Sequence, residues 1–135
     1  MYDEVIEEES EDLDFEIGFY EGLIKKKPDF IEALQALGDA YTKKGQFEKG
    51  LAIDEYLSQL QPDNPYVFYN LACSYSLLNQ TDKAFRSIKA AIKYGYRNFD
   101  YLKEDKDLTN LRNDYRFLRY FSRLEKKLNE GPSQA

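Results

Sequence analysis

Histidine is absent from this chain of 135 residues, and cysteine occurs only once, as Cys73. The chain therefore lacks the commonest general base and the commonest protein metal ligand, and its cysteine has no histidine with which to form a nucleophilic pair. A single cysteine cannot form an internal disulfide, which favours a reducing compartment and predicts a cytoplasmic location. We therefore expect no enzyme, no cofactor and no metal site.

Long apolar runs and targeting signals are missing as well. No run approaches the roughly 18–20 apolar residues that a membrane span needs, so we expect no membrane insertion. The first ten residues, MYDEVIEEES, lack the apolar core of a secretory signal. The chain also has no Gly-rich phosphate loop, H-E-x-x-H motif or EF-hand loop. Its length and composition are typical of one globular domain.

The net charge of −6 is distributed unevenly. Residues 1–24 hold ten acidic side chains and no basic one, which leaves 19 basic against 15 acidic side chains in the remainder. The run EEESEDLD is interpreted as a solvated segment or helix start, because like charges repel. The alternative is an acidic arm that touches a basic surface, its own or a neighbour's. Acidic residues interleave with the C-terminal basic residues, so we expect no nucleic-acid binding.

An apolar pattern occurs twice along the chain, with the same offset between all paired positions. The first copy consists of Leu34, Leu37, Gly38 and Tyr41, and the second of Phe68, Leu71, Ala72 and Tyr75. Their spacing places each set on one helical face. Gly45 and Asn79 suit left-handed turn residues, and Pro28 and Pro62 mark helix stops. The pattern predicts one helix over 12–27 and two helix hairpins, 31–44 with 47–60 and 65–78 with 82–94.

These residues resemble the tetratricopeptide repeat family, whose pattern W-x-x-L-G-x-x-Y, A-x-x-x-F, A and P spans about 34 residues. The matching stretches are LQALGDAY and FYNLACSY, and LDFEIGFYEGLIKKKP is similar to the second half of a preceding repeat. Asp54 and Ile88 depart from the pattern at its aromatic position. The resemblance implies an all-α fold, a right-handed superhelical array of antiparallel helix hairpins. The expected divisions are an acidic segment (1–11), a half repeat (12–30), repeat one (31–64), repeat two (65–96), C-terminal capping helices (97–128) and a tail (129–135).

Small residues recur where the family's paired helices cross. We interpret Gly38 and Ala72 as crossing-point residues, because a larger side chain there would overpack the contact. Tyr41 and Tyr75 are interpreted as packing residues with a polar tip rather than as catalytic groups.

The segment after residue 96 loses the repeat register and is predicted to cap the array. A repeat array exposes an apolar end that must be covered. The covering face is predicted from four apolar residues at steps of 4, 3 and 4, namely Phe117, Phe121, Leu124 and Leu128.

The resemblance also implies a concave groove, lined by the first helix of each repeat, that holds a peptide. Carried over to this chain, the groove positions are Glu32, Gln35, Asp39, Tyr66, Tyr69, Asn70, Cys73, Asp100 and Glu104. One subclass grips the C-terminal carboxylate of chaperones with cations and asparagines, but here acids occupy three of those positions, namely Asp39, Asp100 and Glu104. An acidic rim with two tyrosines instead favours a segment that carries Lys or Arg and an apolar anchor. The alternative is a solvated groove without a ligand.

Two functions follow as hypotheses. The first is a non-catalytic interaction module, an adaptor or assembly factor that binds a segment of another protein. The second is a homo-oligomer that stacks head-to-tail, because the first helix of the leading half repeat is missing and leaves an open N-terminal end.

Overall fold

The computed structural model describes the backbone of residues 2–130 and the side chains of residues 9–130. This range contains α-helices, one short 3₁₀ helix and no strand, so the expected all-α array is confirmed. The elements are α1 (Tyr2–Lys26), α2 (Ile31–Lys43), α3 (Phe47–Leu60), α4 (Pro65–Leu77), α5 (Thr81–Lys93), α6 (Phe99–Glu104), the 3₁₀ helix (Lys106–Leu108), α7 (Thr109–Arg112) and α8 (Tyr115–Glu130).

The two central hairpins, α2 with α3 and α4 with α5, lie within one residue of their predicted bounds. Each pair packs together along the chain, and α3 packs on α4. Gly45 and Asn79 occupy the two tight connections with φ values of 85° and 58°. This left-handed conformation is one that glycine and asparagine tolerate and most residues avoid, which confirms the turn prediction.

The crossing points of the hairpins are closely packed. A Cβ atom added to Gly38 would lie 3.2 Å from Cγ2 of Ile53 on the facing helix. The equivalent residue of the second hairpin, Ala72, is 0% exposed and belongs to the same buried cluster as Ala84 and Ile88 of α5. The crossing-point interpretation is therefore confirmed.

We expect the substitution Ala72→Leu to destabilise the protein by about 1–3 kcal/mol, because the added atoms have no space at this crossing. The measurement is the free energy of unfolding by urea. Ala52→Leu is the matched control, since Ala52 lies on the exposed face of α3 and should change stability by less than about 0.5 kcal/mol. Equal effects of the two substitutions would contradict the assignment.

Equivalent tyrosines tie neighbouring helices together through hydrogen bonds. The Tyr41 hydroxyl donates to Glu21 Oε2 of α1 at 2.6 Å, and the Tyr75 hydroxyl donates to Glu55 Oε2 of α3 at 3.2 Å. Burial and the neighbouring Glu21 raise the pKa of Tyr41 to about 12. Both tyrosines are packing residues with a polar tip, as predicted. The two donors and the two acceptors are each one repeat length apart, so α1 contacts α2 through the same kind of hydrogen bond as α3 contacts α4.

Helix α1 begins at Tyr2, ten residues earlier than the predicted helix over 12–27. Its buried side is formed by Ile17, with Leu13, Tyr20 and Ile24 packed around the same cluster. Its acidic residues from Glu9 to Glu16 are mainly exposed, so this part of the charged run is a solvated helix face. It also touches the chain's own surface, because Lys44 Nζ lies 2.8 Å from Asp14 Oδ1. Of the predicted acidic segment and tail, residues 1 and 131–135 lie outside the described residues.

The C-terminal elements cover the open end of the second hairpin. Phe117 and Phe121 are 1% and 7% exposed, and the ring of Phe117 lies edge-on to that of Phe85 with centroids 6.2 Å apart. Leu124 packs against the same cluster. Leu128 is 45% exposed, so its predicted place on the covering face is wrong: it lies one turn beyond the end of the buried cluster.

Within residues 2–130, none of the helices combines the length and apolar character that a membrane crossing requires.

Candidate functional site

A cavity of about 530 Å³ opens between α2, α4 and the segment that contains α6 and the 3₁₀ helix. The end of α2 contributes Asp39 and Lys43, and α4 contributes one whole face. Helix α4 starts where Asn64 Oδ1 accepts a hydrogen bond from the Tyr66 backbone N–H at 2.9 Å, with Pro65 in the first turn. These start signals fix the register that turns Tyr66, Tyr69, Asn70 and Cys73 toward the cavity.

The structure brings five of the nine predicted groove residues to this cavity. They are Asp39, Tyr66, Tyr69, Asn70 and Cys73. Four do not line it and lie exposed elsewhere, namely Glu32, Gln35, Asp100 and Glu104. The cavity lies toward the C-terminal end of α2, beyond the reach of its first turn. Helix α6 ends at Glu104 instead of continuing as a full repeat helix, so Tyr101, Asp105 and Asp107 face the cavity in place of Asp100 and Glu104.

Asp105 is the polar centre of the site, and the sequence prediction missed it. Its Oδ2 accepts a hydrogen bond from the Tyr69 hydroxyl at 2.7 Å and lies 3.7 Å from Cys73 Sγ. Its Oδ1 accepts from the Asp107 backbone N–H at 3.0 Å, which caps the 3₁₀ helix. The carboxylate thus joins α4 to the capping segment. The spacing of Asp105 and Asp107 before Leu108 is typical of a capped turn and was the available signal.

The buried thiol of Cys73 and the buried phenol of Tyr69 are held in their protonated forms. Burial, and then the neighbouring Asp105, raise the pKa of Cys73 well above its usual value. Burial and the hydrogen bond to Asp105 likewise raise the pKa of Tyr69. A thiol is a nucleophile only as the thiolate, so Cys73 is poorly suited to catalysis.

Four tyrosines lie together in the lining of the cavity, and we call them the tyrosine cluster: Tyr66, Tyr69, Tyr96 and Tyr101. Tyr69 and Tyr96 are buried and stacked, with ring centroids 4.4 Å apart and planes 14° apart. Tyr66 stands edge-on to Tyr96 at 6.1 Å, and Tyr101 is tilted by 42° to Tyr69 at 6.1 Å. The two outer residues, Tyr66 and Tyr101, are 67% and 54% exposed, so both are accessible to solvent.

The cavity is acidic. Four aspartates line it against a single basic residue, Lys43. Burial raises the pKa of Asp39, which Lys43 partly offsets, and burial together with Asp105 raises the pKa of Asp107. Burial also raises the pKa of Asp54 to about 6, against the hydrogen bond from Ser74 and with a contribution from Asp39. A cation in the cavity would relieve this crowding of negative charge.

Within the side chains described, residues 9–130, no group of three or more His, Cys, Asp or Glu residues has the arrangement that could hold a metal ion. The lining of the cavity combines tyrosine rings with the carboxylates of four aspartates.

Helix hairpins that recur at a constant interval along the chain define a helical-repeat protein. Residues 65–94, which form α4, α5 and their connection, match the tetratricopeptide repeat family. Residues 65–94 thus form a tetratricopeptide repeat, and the resemblance drawn from the sequence is confirmed for this segment. Such repeats are generally protein–protein interaction modules and are usually non-catalytic.

The chain is also similar to a protein of Arabidopsis thaliana whose name describes it as chloroplastic. The two are 34% identical over 91 residues, which cover 65% of this chain and 26% of that relative. The similarity therefore spans about a quarter of the relative's length.

Proposed function

We propose that this protein is a non-catalytic adaptor or assembly factor that binds a segment of another protein in the cavity between α2, α4 and the α6 region. The observation that carries the proposal is the lining of the cavity, which combines four aspartates with the exposed residues Tyr66 and Tyr101. Carboxylates attract a Lys or Arg side chain, and the rings offer apolar contact to an anchor residue. The protonated thiol of Cys73 is a poor nucleophile, which also favours binding over catalysis.

The proposed extent of the interaction module is residues 12–96, with residues 97–128 as its cap. The four predicted groove residues outside the cavity, Glu32, Gln35, Asp100 and Glu104, remain candidates for contacts with the flanks of a longer segment. All four are exposed. The cytoplasmic location stays a prediction, and the relative whose name places it in the chloroplast does not support it.

We expect the cavity to bind a Lys/Arg-rich peptide with a leucine anchor more tightly than an Asp/Glu-rich peptide with the same anchor. The preference should weaken between low and high salt, because screening shortens from about 8 Å at physiological ionic strength to about 3 Å at 1 M. Asp39→Asn should weaken binding of the basic peptide several-fold, since an exposed charge pair contributes about 0.2–1 kcal/mol. The measurement is calorimetric or fluorescence titration.

Asp12→Asn is the matched control, because Asp12 is exposed on α1 and does not line the cavity. It should leave the affinity unchanged. Tighter binding of the acidic peptide, or a basic-peptide affinity indifferent to salt and to Asp39→Asn, would contradict the proposed function.

A second candidate function is head-to-tail self-assembly, and the exposed face of α1 favours it. Phe15 and Phe19 are 76% and 54% exposed, and a Cβ atom added to Gly18 would meet no atom within 4 Å. A second copy suits this face, because α1 is acidic and α8 presents a basic stripe with spacings of three and four: Arg116, Arg119, Arg123 and Lys127. Opposite charges on the two ends would align successive copies.

If this second function holds, light scattering should give a mass that rises with protein concentration and falls at high salt. Replacing both Phe15 and Phe19 by serine should restore the monomer, because it removes the apolar contact. A wild-type protein that stays monomeric at micromolar concentrations would contradict self-assembly and favour the interaction module.

A further inference from the structure

The tyrosine cluster lies in the same cavity lining as four carboxylates. Its inner pair, Tyr69 and Tyr96, is already packed face to face. The outer rings of Tyr66 and Tyr101 belong to different helices, α4 and α6, and keep more than half of their surface exposed. Ring faces carry negative electrostatic potential and attract cations. Both outer rings line the same cavity, so a guest in it can contact an aromatic ring from either helix.

The carboxylates of the cavity differ in the number of hydrogen bonds that they already accept from the protein. Asp105 accepts hydrogen bonds from the Tyr69 hydroxyl and the Asp107 backbone. Among residues 9–130, whose side chains are described, none donates a hydrogen bond to the Asp107 carboxylate and none forms an ion pair with it. Asp107 is only half-buried and lines the same cavity as the tyrosine cluster. It can therefore accept hydrogen bonds from a ligand.

We propose that the tyrosine cluster binds the guanidinium group of an arginine from the bound segment, in preference to a lysine ammonium. This inference rests on the proposed function and specifies which cation the cavity selects. A guanidinium is planar and can stack on a tyrosine ring while its edge donates paired hydrogen bonds to a carboxylate such as that of Asp107. It is also more weakly hydrated than an ammonium, so it loses less on leaving water for an aromatic surface.

The test uses Gly/Ser-rich peptides with blocked termini. Each peptide carries one leucine anchor and one variable position, and each pool of peptides covers several spacings between these two residues. The variable position carries arginine, lysine or citrulline, the neutral isostere of arginine. We expect the arginine peptides to bind several-fold more tightly than the lysine peptides and about five- to thirty-fold more tightly than the citrulline peptides. The measurement is the dissociation constant at physiological salt.

Substitutions at the exposed rings separate stacking from simple bulk. Tyr66→Leu and Tyr101→Leu should reduce the preference for arginine over citrulline, whereas Tyr66→Phe should keep it because the ring remains. Tyr115→Leu is the control, since Tyr115 is 69% exposed on α8, outside the cavity. Both outer rings are exposed, so these variants should melt at the wild-type temperature.

The outcomes distinguish this inference from the function on which it rests. Equal affinities for arginine and citrulline peptides, or for arginine and lysine peptides, would overturn the assignment of arginine and leave the interaction module standing. An unchanged preference in Tyr66→Leu and Tyr101→Leu would overturn the assignment in the same way. Failure of every peptide to bind would overturn both proposals.

Discussion

A chain that ends after Gly95 is expected to lose cooperative folding and to aggregate. The residues removed include four that are at most 1% exposed and belong to the same buried cluster as Ile88, namely Leu102, Leu108, Leu111 and Phe117. Burying one such side chain contributes about 1.5–3 kcal/mol. Four of them together contribute about 6–12 kcal/mol, which is comparable to the total stability of about 5–15 kcal/mol that is typical of a domain.

Polar contacts add to this loss. The Leu111 backbone N–H donates to Ser76 Oγ at 3.1 Å, and Asn110 Nδ2 donates to the Ser76 carbonyl at 2.8 Å. Ser76 is 0% exposed on α4. Truncation would therefore remove hydrogen bonds that the C-terminal segment supplies to a buried residue and expose apolar surface to solvent. The measurements are a thermal melt by circular dichroism and light scattering of the fragment.

A chain that ends after Glu130 is the control, since it retains every described helix. At the level of single residues, Phe117→Ala should cost about 3–5 kcal/mol, because it empties a buried ring site. Its neighbour Leu118 is 51% exposed, so Leu118→Ala should cost less than about 0.5 kcal/mol. A soluble fragment of residues 1–95 with a cooperative melt would show that the C-terminal helices are an accessory rather than a cap.

The repeat core could be predicted from the sequence because its signals are local and occur twice. Each hairpin has a small residue at its crossing, Gly38 or Ala72, followed at the same distance by a left-handed turn residue, Gly45 or Asn79. The constant repeat length lets the two copies reinforce one another, and each signal has a physical cause that acts within a few residues. The helix bounds followed from them to within one residue.

The sequence prediction starts the N-terminal helix ten residues too late, because repulsion between like charges does not by itself prevent a helix. Glutamate is a good helix former, and an exposed helix face keeps its charges in water. The buried positions from Leu13 to Ile24 lie on one side of α1, and the acidic residues from Glu9 to Glu16 mainly lie on solvent-facing positions. Both sets of residues are compatible with one continuous helix.

The candidate site could be predicted only where the repeat register continues. Tyr66, Tyr69, Asn70 and Cys73 follow from the register of α4. The corresponding positions after residue 99, Asp100 and Glu104, assume a full helix, whereas Asp105 ends α6 by capping a 3₁₀ helix. The side chain that organises the cavity floor is therefore a cap residue, and its partner Tyr69 lies 36 residues away. A contact of that range leaves no local trace in the sequence.

Asp54 occupies the junction of the two repeats, where the family pattern has an aromatic residue. It is 8% exposed on α3, and its Oδ2 accepts a hydrogen bond from Ser74 Oγ of α4 at 2.5 Å. The charged group that faces it from α2 is Asp39, and the titratable group from α4 is the Cys73 thiol. Neither neighbour compensates a negative charge on Asp54, and burial raises its pKa to about 6.

We expect Asp54→Asn to stabilise the protein by about 2–3 kcal/mol at neutral pH, since the pKa rises from 3.8 to about 6 on folding and each pKa unit corresponds to about 1.4 kcal/mol. Between these two values the folded protein retains a proton that the unfolded chain has released, so wild-type stability falls as pH rises through this window. The contribution from protonated Asp54 is fully present below about pH 4 and is lost above about pH 6. Asparagine keeps an acceptor for Ser74 and carries no charge at any pH.

The measurement for Asp54→Asn is the difference in unfolding free energy between variant and wild type, determined by urea denaturation from pH 4 to pH 7.5. Groups common to both proteins, including Asp39, largely cancel in that difference. The difference should therefore grow as pH rises, because only the wild type must bury a charge at this position. A difference that stays constant over this range, or that grows toward low pH, would contradict the buried-charge account of Asp54.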